Sequence, residues 1–126
     1  MSAMSDYLEN KLLDAVLRNT AFTSPTTVYI GLSTGSFGDD NSGTELTGNN
    51  YSRVSIAFDA ASGGTTDNTS NVEFAAATGS WGSVSHYGLF DASSSGNLLI
   101  HGAFTAAKTI ASGDILYVDR KSTRLN

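Results

Sequence analysis

The 126-residue sequence contains no cysteine. That excludes disulfides, thiolate metal sites and cysteine nucleophiles together, and it leaves the redox compartment open. Charge is also scarce: Asp, Glu, Lys and Arg make up 15% of the chain, against about a quarter in ordinary globular proteins. Basic charge is the scarcer sign, with seven Lys and Arg against twelve Asp and Glu, for a net charge of −5. Such a chain lacks the electrostatic footprint of a nucleic-acid binder. No apolar run approaches the length of a bilayer span, so membrane insertion is not expected. The N-terminus has no basic segment followed by an apolar one, as a secretion signal would. Synthesis in a cytoplasm is the expectation, with export only as part of a particle.

Polarity comes instead from Ser, Thr, Asn and Gly, while hydrophobic residues reach 40%. That apolar content supports a packed core, and the length predicts one domain. Residues 6–19 carry the pattern of a helix. Asp6 is a candidate N-cap with Glu9 three residues on. Leu8, Leu12, Leu13, Ala15, Val16 and Leu17 form an apolar stripe. Leu12, Val16 and one of Leu8 or Leu13 are expected to be buried, with Asp14 and Arg18 in solvent. A helix this short needs its stripe covered, by its own sheet or by a neighbouring subunit.

After Pro25 the period changes to that of strands. Residues 27–33 alternate, with Val28, Ile30 and Leu32 on one face. Residues 35–50 hold four Gly with several Asp and Asn, which predicts a long surface loop. Alternation resumes over 52–58, with Val54, Ile56 and Phe58 on one face. A short strand is expected over 70–76. Residues 84–90 and 98–104 predict a hairpin closed by 91–97, and a last strand covers 114–118. The fold class is therefore mainly β: a β-sandwich or open barrel of about six to seven short antiparallel strands with one N-terminal α-helix.

No catalytic constellation stands out. His86 and His101 are the only histidines. They oppose each other if the hairpin pairs residues whose numbers sum to 187, and a one-residue shift opposes Tyr87 to His101. Facing imidazoles could share a metal, but no third ligand is nearby in sequence, so no metal or cofactor is expected. No Gly-x-Ser-x-Gly elbow, phosphate loop or dinucleotide fingerprint occurs. Residues 39–45, Asp-Asp-Asn-Ser-Gly-Thr-Glu, concentrate oxygen atoms but put Gly fifth and Glu seventh, not at the sixth and twelfth places of an EF-hand. Tyr51, Trp81 and Tyr87 are candidate ligand-facing aromatics, with burial in the core as the alternative reading. Leu8, Leu12, Leu13 and Val16 form a candidate assembly face.

Three stretches carry a family likeness. They are Asp6-Tyr7-Leu8-Glu9-Asn10-Lys11-Leu12-Leu13-Asp14, then Ser24-Pro25-Thr26-Thr27-Val28-Tyr29-Ile30-Gly31-Leu32, then Trp81-Gly82-Ser83-Val84-Ser85-His86-Tyr87-Gly88-Leu89-Phe90-Asp91-Ala92 with Gly96-Asn97-Leu98-Leu99-Ile100-His101-Gly102 after it. In this order the chain resembles a family of small bacteriophage tail-fibre or virion structural proteins, over residues 4–118. Separately, Asp119-Arg120-Lys121-Ser122-Thr123-Arg124-Leu125-Asn126 resembles the translation of a sequencing-library adapter. The reading is thus a single β-rich domain over 1–118 and a non-native tail over 119–126. Without that tail, four basic and eleven acidic residues remain, for a net of −7.

The resemblance implies a non-enzymatic virion component of a tail fibre, baseplate or capsid decoration. Its implied partners are other virion proteins and further copies of itself, with a trimer among the options. The alternative is a host-recognition module whose loops 35–50 and 91–97 contact a surface glycan or protein.

Overall fold

The computed structural model describes residues 2–120. Among them the elements run β1 (Ser2–Met4), α1 (Asp6–Leu17), β2 (Val28–Ser33), β3 (Val54–Ile56), β4 (Val72–Glu73), β5 (Gly82–Phe90), β6 (Leu98–Ile110) and β7 (Tyr117–Val118). Five strands form an open antiparallel sheet in the order β1-β6-β5-β2-β3, and β4 pairs with β7 in a small second sheet. The fold is mainly β, and the large sheet does not close into a barrel.

Alternation decides which side chains enter the core. Ile30 and Leu32 of β2 and Tyr87 and Leu89 of β5 point to one face. There they meet Val72, Phe74, Leu116 and Val118 from the segments around the small sheet, in one continuous cluster. Each such side chain contributes about 1.5–3 kcal/mol on burial. The opposite face carries a smaller cluster of Phe37, Phe90 and Leu98. Phe37 lies within the predicted surface loop, yet it is 1% exposed and meets Phe90 edge-to-face at 5.5 Å. The predicted strands over 52–58 and 70–76 shorten to Val54–Ile56 and Val72–Glu73, and that over 114–118 to its last two residues, Tyr117–Val118.

The predicted hairpin is β5–β6, with a different register. His86 pairs with Ala103 and Gly88 with His101. Neither expected facing pair, His86 with His101 or Tyr87 with His101, forms. The cause is irregular pairing at both ends. Near the turn the register shifts between Leu89 and Phe90. Farther out, a bulge sets one residue of β5, Ser85, against residues 104–107 of β6. The connecting loop is closed by Asp91, whose carboxylate accepts from the Asn97 backbone N–H at 2.7 Å and from its side-chain amide at 2.9 Å. Ser95 and Gly96 turn the chain with positive φ.

The helix also departs from expectation. Ser5, not Asp6, caps it: Ser5 Oγ accepts from Leu8 N–H at 3.2 Å. No residue of α1 is buried. Leu8 and Leu12 are half-buried, and Val16 is exposed. The reason lies in the sheet order. The helix follows β1, an edge strand of three residues, and packs at the sheet margin against β1 and β6. A margin covers far less of a helix than a sheet face does. The strand β1, which the sequence pattern did not single out, pairs with β6 from Ser2–Gly102 to Met4–Ile100.

Candidate assembly surface

The start of α1 is fastened firmly. Ser5 donates from its backbone N–H to Leu99 O at 2.8 Å and from Oγ to Leu98 O at 2.5 Å. Asp6 N–H donates to Asp39 O at 2.8 Å. The helix then runs out with its stripe divided. Leu8 and Leu12 turn toward the body, while Leu13, Val16 and Leu17 are 56%, 77% and 74% exposed. Their i, i+3, i+4 spacing puts these three on one face. Asp14 and Arg18 pair beside them at 3.2 Å, both accessible. The result is an exposed apolar ridge rimmed by charge.

A second apolar feature lies between the distal half of β6 and β7. It is a groove of about 480 Å³ whose lining includes Val84, Phe104, Lys108, Ile115, Tyr117 and Asp119. Ile115 and Tyr117 stand partly exposed along it. The bulge in β6 contributes Phe104, Thr105 and Ala106 to the wall.

The two loops that the sequence marks for recognition meet around a third feature. Asp39, Asp40 and Asn41 from one loop, and Gly96 and Asn97 from the other, line a polar hollow of about 370 Å³ beside the start of α1. Arg53 ties these regions together. Its guanidinium donates twice to the Glu45 carboxylate, at 2.8 and 2.9 Å, and Nη1 donates to Ala92 O and Ser95 O, each at 2.8 Å. The same group stacks over Phe90, 3.6 Å from the ring centroid. Glu45 also accepts from the Tyr51 hydroxyl at 2.5 Å. Burial and that bond to Glu45 push the Tyr51 phenol above its ordinary range. The Tyr51 oxygen in turn accepts from Leu32 N–H at 2.9 Å. Sequence reading placed Glu45 in an acidic loop and passed over Arg53. Nothing local announces a pair that only the fold assembles.

The candidate aromatics are packed into the body of the domain. Trp81 and Tyr87 are buried and Tyr51 is half-buried. Trp81 meets Tyr51 and Phe74 edge-on, at 5.6 and 6.4 Å, and its ring N–H donates to Asn49 O at 2.9 Å. Tyr87 packs on Phe104 at 5.2 Å, and burial raises its phenol. These rings are core residues, which is the alternative the sequence left open.

The titratable groups are likewise absorbed by the fold. His101 Nε2 lies 2.7 Å from Asp39 Oδ1, whereas His86 Nδ1 lies 2.7 Å from Ser85 Oγ. A histidine–acid pair and a serine–histidine pair therefore sit on different histidines, and among the described residues no Ser-His-Asp relay is built on them. Ser85 Oγ already donates to Thr34 O at 3.0 Å. The acidic loop does not converge on one point. Asp39 turns to His101 and Glu45 to Arg53, while hydrogen bonds from Ser42 hold the Asp40 carboxyl below its usual value. Asp6, Glu9 and Asp39 bring carboxylate oxygens within 4.8 Å of one another, all exposed. They are the described residues best placed to hold a cation. Two of them belong to the first turn of α1, whose dipole favours negative charge.

A family model described as Podophage GP4 fiber I protein gp80 matches residues 3–126. The match runs from β1 through the terminal segment. No curated protein matches the chain.

Proposed function

This chain belongs to the podophage GP4 fiber I protein gp80 family, and from that membership we propose a non-enzymatic structural component of the virion, made in the host cytoplasm and acting through protein–protein assembly. The family match carries the reading. The exposed ridge Leu13, Val16 and Leu17 supports it, because a soluble domain rarely leaves such a stripe open without a partner. The partners are other virion proteins and further copies of the chain. Binding to purified particles or their fibre proteins tests this. Leu13→Glu with Val16→Glu should abolish the binding and leave the far-ultraviolet circular dichroism unchanged. Turnover of a peptidoglycan or polysaccharide, lost on changing His86 or His101, would contradict it.

Host recognition is a second reading, favoured by the hollow between the two loops. Its rim offers Asp40, Asn41 and Asn97 for hydrogen bonding, and Arg53 braces the loop behind it. Polar groups held in place suit a surface glycan. Binding to host cells or glycans that falls on Asn97→Ala, with particle binding intact, would select this reading over the first.

A further inference from the structure

We infer that the α1 ridge of one copy seats in the β6–β7 groove of the next copy, in a head-to-tail contact. The inference rests on the assembly reading above and names its partner. Two apolar features are left open on the same chain. One is convex: Leu13, Val16 and Leu17, each more than half exposed. The other is concave: the groove walled by Phe104, Ile115 and Tyr117. One contact repeated from copy to copy covers both.

Charge supports the same pairing. The groove carries Lys108, whose side chain forms no ion pair among the described residues. The ridge is flanked by Asp14 and Arg18, whose mutual pair is exposed and free to exchange partners. A cation in the groove and an anion beside the ridge allow Lys108 to meet Asp14. Strand addition fits this groove less well. Residues 104–107 bulge out of the ladder and Lys108 follows them, two devices that blunt an edge against pairing. A helix needs no ladder. Heterologous contacts of this kind generate rings or filaments, the form a fibre component requires.

The absence of cysteine makes the test clean. Val16→Cys and Ile115→Cys proteins are prepared separately and mixed with a short bis-maleimide. The expected product is a mixed dimer joining the two variants, absent when either variant is treated alone. Leu17→Glu should remove the product. Lys108→Glu should weaken it several-fold, and Asp14→Lys on the partner copy should restore it. Dimers of Val16→Cys alone would show a helix-to-helix contact and overturn the inference. No mixed dimer at the highest soluble concentration would overturn it too. If the protein were still found in virions, the fibre reading would stand with another virion protein on the ridge.

Discussion

Gly31 and Gly88 face each other across β2 and β5, and the Phe90 ring lies over both. A Cβ at Gly88 would come within 2.9 Å of Leu98 and 3.0 Å of Phe90, and one at Gly31 within 2.7 Å of Glu45. The paired glycines let the second cluster settle onto the sheet. Gly88→Ala should therefore destabilise the protein by about 1–3 kcal/mol, the usual cost of overpacking. Urea unfolding checks this, and an unchanged midpoint would show that the cluster has slack.

Arg53 should matter more than its place near a loop implies. Its side chain is 7% exposed and that of Glu45 22%. Arg53→Leu strands the Glu45 carboxylate and releases the carbonyls of Ala92 and Ser95. A loss of about 3 kcal/mol is expected, at the low end for breaking a buried pair because Glu45 keeps some contact with water. Adding Glu45→Gln should cost much less than its effect alone.

Tyr51 gives the protein an alkaline limit. Its raised phenol stays protonated in the folded state where the unfolded chain would ionise. The folded state then holds more protons, so stability is complete below the ordinary tyrosine value of about 10 and falls as pH rises beyond it. Tyr87 acts in the same direction. Tyr51→Phe should flatten this fall in unfolding measured across alkaline pH. An unaltered slope would mean that burial and the bond to Glu45 do not hold the proton.

What the sequence revealed, it revealed through period and punctuation. Ile30 and Leu32 alternate cleanly and are fully buried, and Asp91 and Gly96 mark the hairpin turn that forms. Register was beyond reach, because the bulge opposite Ser85 has no local signature. Ser2-Ala3-Met4 is too short to show a period, yet it sets the helix at the sheet margin. Amphipathic spacing showed that α1 has an apolar face, not whether its own body covers it. The groove and the Arg53–Glu45 pair join distant segments, so only the fold displays them.

The terminal segment gives a further prediction. Asp119 O accepts from the Asn68 amide, and Arg120 pairs with Asp59 at 2.8 Å. The rest of the adapter-like stretch, 121–126, lies outside the described residues. The Arg120–Asp59 pair is exposed, whereas the Asn68 amide is fully buried and keeps Ser70 O as an acceptor, so deleting 119–126 should cost about 1 kcal/mol near neutral pH. Arg120 holds the Asp59 carboxyl below its usual value. That contribution is present above the ordinary carboxyl range and is lost as pH falls, so the deletion should make the acid side of the stability profile shallower. Unfolding on deletion would make the segment part of the native fold.

Placement in the particle bears most directly on the central claim. Purified virions, freed of lysate protein by density-gradient banding, can be digested and their peptides quantified by mass spectrometry. A fibre component predicts peptides from this chain at a fixed ratio to the other tail proteins, with antibody label at the tail in electron micrographs. Recovery of the protein only in the unassembled lysate fraction, with none in banded particles, would contradict the account.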